Sequence, residues 1–295
     1  MTEIFGVPTQ ALFGQLLIGL INGSFYALLS LGLAVIFGLL NIINFTHGAQ
    51  YMLGAFCAYF LLNKAGLGYW WSLAIAPLVV GAVGVLIERT MLKRLYRLDH
   101  LYGLLLTFGL ALILQGLFQF GFGASGLPYP IPAELSGGRN LGFMFLPNYR
   151  AWVIVASLAV CLATWFVIEK TKLGSYLRAA TENPQLVQAF GINVPRMIML
   201  TYGFGVGLAA LAGVMAAPIY QVSPRMGADL IIVVFAVVVI GGMGSILGSI
   251  VTGFGLGIVE GLTKVFYPEA SNTVIFIIMA IVLMIKPAGL FGSQK

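Results

Sequence analysis

The chain has 295 residues, of which 60% are hydrophobic and only 8% charged, against roughly a quarter charged in an ordinary soluble protein. That balance excludes a water-soluble globular fold. The net charge of +6 would suggest nucleic acid only if it clustered on a soluble domain; none is evident, so no nucleic-acid partner is expected and the charge reports on orientation in a lipid bilayer.

A helix needs about 18 or more mainly apolar residues to cross a hydrocarbon core about 30 Å thick. In chain order, charge-free stretches run over 4–63, 70–87, 101–120, 151–168, 197–221 and 230–259, with a shorter one at 270–285. They lack the period-two alternation of a membrane β-barrel. The expectation is an all-α integral membrane protein, a polytopic bundle of about 8 transmembrane helices with broken or re-entrant segments, forming a single domain over 1–295. Glu3 is the sole charge before Lys64, so the positive start of a cleavable signal peptide is missing and the first span is expected to drive insertion.

The first stretch is interrupted by a polar break, N-I-I-N-F-T-H-G at 41–48. Non-helical backbone at membrane depth survives where protein or a water-filled cavity satisfies it, so a break of this kind points to a transport site. Asn41, Asn44, Thr46, His47 and Gln50, with Tyr51 beside them, are the candidate pathway residues, since a zwitterionic or neutral polar solute needs donors and acceptors rather than fixed charges. For His47 the alternative is a satisfied interhelical hydrogen bond; Gln115 and Gln119 read as interhelical glue. Cys57 and Cys161 lie in apolar stretches and imply neither disulfide nor metal.

Basic residues cluster at Arg89, Lys93, Arg94 and Arg97, at Lys170, Lys172, Arg178 and Arg196, and at Lys286 and Lys295. By the positive-inside rule these three regions are cytoplasmic and the Pro- and Gly-rich loop 121–150 lies outside. Between them, 173–192 reads L-G-S-Y-L-R-A-A-T-E-N-P-Q-L-V-Q-A-F-G-I, too ordered for a simple connector. Asn183 suits an N-cap, Pro184 the first helical position and Gly191 a left-handed stop. The resulting helix of about seven residues is too short to stand alone in water, so Leu186, Val187 and Phe190 on one side must dock, either on the membrane domain or in a groove of a cytoplasmic partner.

To leave the C-terminus inside, 230–259 must enter and return, and thirty residues are too few for two crossings; the expectation is a re-entrant helix turning near G-G-M-G-S at 241–245. From there Gly241, Ser245, Ser249, Gly253, Gly257 and Gly261 form a small-residue ladder, suited to packing within the chain or against a second subunit. Glu260 and Lys264 read as a solvated pair near the span end. Every acidic residue maps to a loop or span end and only His47 lies deep, which weakens an ion-coupled secondary transporter. A passive channel would leave the ordered loop unexplained, and no zinc or Ser/His motif supports an intramembrane enzyme.

The pattern R-A-x-x-E-N-x-x-x-x-x-A-x-G-I at 178–192 resembles the coupling loop of the permeases of branched-chain amino acid ABC importers, and N-F-T-H-G at 44–48, G-G-M-G-S-I-L-G at 241–248 and K-P-A-G-L-F-G at 286–292 resemble further motifs of that family. The resemblance implies a multi-pass permease of a prokaryotic inner (cytoplasmic) membrane, with a coupling loop at about 170–196. It implies partners: a second homologous permease, two cytoplasmic ABC ATPase subunits that bind ATP and Mg, and a periplasmic substrate-binding protein. Arg178 and Glu182 would then make polar contacts to the ATPase, Asn183 and Gly191 would frame the helix, and Leu186, Val187 and Phe190 would be its apolar knob. Family members also carry urea, amides or aromatic acids, so the substrate stays open. No G-x-x-x-x-G-K-[ST] occurs, so ATP hydrolysis is expected of another chain and no cofactor of this one.

Overall fold

Helices carry most of the residues that the computed structural model describes, which are 3–4, 6–40, 44–96 and 98–292. Six helices are long and apolar enough to span a bilayer: α1 (Thr9–Leu40), α3 (Tyr69–Thr90), α4 (His100–Phe122), α5 (Asn148–Lys170), α8 (Val194–Tyr220) and α10 (Ile246–Phe266). Between them come α2 (Thr46–Ala65), the short α6 (Lys172–Glu182) and α7 (Pro184–Ala189), and α9 (Met226–Gly241), followed at the end by α11 (Val274–Ile285). The only sheets among the described residues are two antiparallel hairpins, Glu3–Ile4 with Val7–Pro8 and Gly138–Asn140 with Phe145–Pro147. The chain is thus an all-α polytopic membrane protein.

Burial follows from the solvent being lipid. The middle of α8 is buried on nearly all sides, whereas α4 buries only Gly103 and Thr107 and turns Leu105, Leu117 and Phe120 outward. An exterior of that kind would aggregate in water but matches hydrocarbon.

Aromatic pairs fix the relative direction of α2 and α4. Phe45 meets Phe108, Phe56 meets Phe118 and Phe60 meets Phe122, so α2 and α4 run parallel. The loop after α3 meets α6, α7 and the start of α8 around Tyr96, Asp99, Thr181 and Pro184, while the end of α1 at Gly38 and the turn at Gly244 meet Glu169 and Arg178. One face therefore gathers Arg89, Lys93, Arg94, Lys170, Lys172, Arg178 and Arg196; it is termed the basic face below. The 123–147 loop lies on the opposite face, where Phe143 packs on Phe13 of the first turns of α1.

One expectation changes here. The G-G-M-G-S segment is no mid-membrane break: α9 and α10 are separate helices, and Gly242 and Gly244, with φ +102° and +83°, turn the chain at the basic face against Gly38. The C-terminal segment straps this turn, Leu290 N–H donating to Ile240 O and Phe291 N–H to Gly241 O. Resolved as two helices, the pair brings the count of about eight spans to nine bundle helices among the described residues. The room for two passes comes from residues outside 230–259, because α9 begins at Met226 and α10 continues to Phe266. The described part of the first break, 44–48, does lie below the surface. Thr46 and Asn44 reach Thr107 and Tyr202, which follow the starts of α4 and α8 by about two helical turns, roughly 10–12 Å.

The small-residue ladder lies against α1. A Cβ on Gly257 would come within 2.4 Å of Gly23 Cα, one on Gly253 within 2.6 Å of Ala27 Cα and one on Gly261 within 2.5 Å of Gln15 O. Ser30 Oγ donates to Ser249 O (3.3 Å), Ser245 caps α10 by accepting from Gly248 N–H, and Gly241 packs on Gly248. Lipid supplies no hydrophobic drive between helices, so this backbone-to-backbone approach, with its van der Waals contact, is what joins α1 to α10.

Candidate functional site

Three groups of side chains stand out from the apolar background. The first is the α6–α7 loop on the basic face. Thr171 and Asn183 are the non-helical residues between α5, α6 and α7; Asn183 Oδ1 accepts from Leu186 N–H at 2.9 Å, Pro184 occupies the first helical position, and Gly191 ends the segment at φ +83°, where a side chain would be strained. The apolar residues divide. Val187 is buried against Ala180 and Val194, whereas Leu186 and Phe190 are 55% and 78% exposed. The expected single apolar side is corrected by helix geometry, since Leu186 and Phe190 are four residues apart on one face and Val187 is turned about 100° from Leu186. Docking on the membrane domain and presenting an apolar face outward are both realised. Arg178 does not project freely: its Nη1 donates to Ile168 O and Glu169 Oε2, each at 3.3 Å, clamping α6 to the end of α5. Glu182 is exposed.

The second group surrounds the start of α2. Asn44, Thr46, His47 and Gln50 are all essentially buried. Asn44 Nδ2 donates to Tyr202 Oη (3.1 Å), Gln50 Nε2 to the same hydroxyl (3.5 Å) and Thr46 Oγ1 to Thr107 O (2.9 Å). His47 Nε2 lies 3.0 Å from Leu29 O; a carbonyl accepts only, so Nε2 carries the proton. These side chains join α2 to α1, α4 and α8, and neither cavity beside α2 is lined by them. Asn41 lies outside the described residues. Gln115 faces the smaller of those cavities, between α2, α4 and α9.

The third group was not legible as a unit. Glu260 is buried, not solvated: it accepts from Tyr26 Oη (2.7 Å), Asn22 Nδ2 (3.2 Å) and Lys264 Nζ, and Tyr220 Oη donates to Asn22 Oδ1. Tyr51, Tyr220 and Asp229 gather around one cavity with Asn22 and Tyr26. A second acid, Glu88, is also buried, accepting from Tyr96 Oη at 2.6 Å; burial, together with the bond and charge of Glu88, pushes the Tyr96 phenol well above its ordinary range. A place near the end of a span therefore does not keep Glu88 or Glu260 solvated: both are buried. The available signal was Asn22 and Tyr26, four apart on a largely apolar helix.

Together these features define a multi-pass α-helical membrane protein with a basic face and buried groups of polar side chains inside the bundle. The family model described as branched-chain amino acid transport system / permease component matches residues 15–283, and the chain belongs to that family. Over 308 residues it is 29% identical to the high-affinity branched-chain amino acid transport system permease protein LivH of Escherichia coli (strain K12), covering 100% of this chain and 99% of that one. It is 29% identical over 294 residues to BraD of Pseudomonas aeruginosa, covering 95% and 96%. It is also 27% identical over 293 residues to LivM of Escherichia coli (strain K12), covering 92% of this chain and 68% of that one. Membership makes the chain a transport permease component rather than an enzyme, and it decides the choice against the ion-coupled and channel readings.

Proposed function

We propose that this chain is one of two permease subunits of an ABC importer in a prokaryotic inner (cytoplasmic) membrane, carrying branched-chain amino acids or a related small polar solute. The likeness to LivH and LivM, two permease proteins of one organism that bear the same system's name, supports a pairing of two related but different chains. ATP and Mg are bound by two cytoplasmic ATPase subunits, and a periplasmic binding protein delivers solute.

The observation that carries the coupling role is the division of α7. Val187 anchors the helix to the bundle while Leu186 and Phe190 stay exposed beyond the membrane, on the face rich in Arg and Lys. An exposed apolar pair on an anchored helix suits a groove on a soluble partner. Closure of the ATPases around nucleotide would press on α7, pass through α6 and the Arg178 clamp into α5, and tilt the bundle between its inward and outward openings. Asn44, Thr46, His47 and Gln50 act in this reading as the joint about which α2 moves. Purification of the tagged chain in mild detergent tests the class: a P-loop ATPase and a second permease are expected to co-elute, and ATP-dependent uptake of leucine, isoleucine or valine by the reconstituted complex tests the substrate. Elution of the chain alone, with uptake insensitive to ATP, would count against it.

A further inference from the structure

The connection from α8 to α9, residues 221–225, is non-helical backbone inside the bundle. Tyr220, the last residue of α8, bonds to Asn22 more than three turns into α1, and α9 opens with Gly227 packed on Gly48 at the start of α2. Gln221 has φ +63°, the sole positive φ of a non-glycine among the described residues, and Val222 is bridged to Leu127 of the 123–147 loop by N–H···O bonds of 2.8 and 2.9 Å. Backbone of this kind persists in a membrane where it lines a cavity, and half-helix ends there are where transporters bind.

A cavity of about 290 Å³ lies beside this joint, near the lower end of the range for small-molecule sites. Phe25, Met226 and Leu230 make one part of its wall apolar, and Tyr26, Tyr51, Tyr220 and Asp229 make the other polar. Two features ask for an occupant. Tyr51 is fully buried and its hydroxyl has no hydrogen-bond partner among the described residues. Asp229 is exposed in the first turn of α9, two residues past the Gly48 contact, and has no ion pair among the described residues. An acid at that depth must face water, a solute or a counter-charge rather than lipid. Glu260, which accepts from Tyr26 Oη, already has Lys264.

We propose that this cavity is a subsite for the charged end of a zwitterionic amino acid in transit. The Asp229 carboxylate receives the α-ammonium between tyrosine ring faces, Tyr51 Oη donates to the solute carboxylate, and the aliphatic side chain lies against Phe25 and Met226. This rests on the amino acid importer reading. The test uses the complete transporter, with its partner subunits and binding protein, in proteoliposomes with internal or external ATP as orientation requires, and labelled L-leucine. Asp229→Asn is expected to lower uptake about tenfold or more, and Tyr51→Phe several-fold, as loss of one charged and one neutral partner implies. Asp229→Glu, which keeps the charge, is expected to recover uptake relative to D229N, and all three variants are expected to co-elute with the partner subunits as the parent chain does. Parent uptake rates in both D229N and Y51F overturn the subsite alone; should D229N fail to assemble, Y51F, which removes a single oxygen, decides. A parent complex that accumulates no amino acid overturns the importer reading and the subsite with it.

Discussion

Glu260 is held by Tyr26, Asn22 and Lys264 in the wall between α1 and α10, and its removal is therefore a stability matter before it is a transport matter. Glu260→Gln keeps the volume but leaves Lys264 without its counter-charge. A hydrogen bond to a charged group contributes about 1.5–3 kcal/mol, so the purified variant is expected to melt below the parent in detergent, and E260A lower still. A melting curve identical to the parent's would remove this carboxylate from the stabilising groups. On α7 the two kinds of apolar residue separate by experiment as well. Phe190→Asp and Leu186→Asp are expected to leave the fold intact while uptake falls about 30-fold, the loss of a 2 kcal/mol anchor, with ATP hydrolysis no longer tied to solute. Val187→Ala is expected to act locally, speeding amide exchange across 184–197 through loss of about 1–3 kcal/mol of packing. Uptake in F190D equal to the parent's would refute the coupling role.

At the scale of elements, the α1–α10 seam has little tolerance, since its partners are backbone atoms that cannot step aside. Gly257→Val is expected to abolish a monodisperse, folded species in detergent chromatography. Gly255, two residues away, has nothing within 4 Å of a built Cβ, and G255A is expected to be neutral or to gain up to about 1 kcal/mol in melting experiments from better helix propensity. Equal behaviour of the two variants would mean that the seam opens readily. The period-four spacing of Gly253, Gly257 and Gly261 was legible along the chain; that it meets Gly19 and Gly23 of α1, 230 or more positions away, was not, because nothing in one helix names its neighbour. The opposite held for the re-entrant helix. The Gly-rich turn was located correctly, but its depth depends on where α9 and α10 end, which tertiary contacts with Gly38 and the C-terminal strap decide.

For the molecule as a whole, the nine bundle helices among the described residues set the first turns of α1 and the strap at 290–291 on opposite faces. If the basic face is cytoplasmic, a cysteine at Arg139 is expected to react with a membrane-impermeant maleimide in intact cells, and one at Glu182 only after permeabilisation; native Cys161 is buried and Cys57 half-buried, so their background is low. The reverse pattern would invert the bundle and place α7 away from any ATPase.

Composition and the length of the apolar runs determined the solvent, the helical class and the basic loops, because each depends on counting residues along the chain. The cap and stop of α7 were legible for the same reason, as Asn183, Pro184 and Gly191 act within a few residues of themselves. Which face of α7 is free, how deep each break lies, and that Asn22, Tyr51, Tyr220, Asp229 and Glu260 share one region were decided only by tertiary structure. Those facts are distances between helices, and in a membrane, where apolar faces do not sort inside from outside, periodicity carries no record of them.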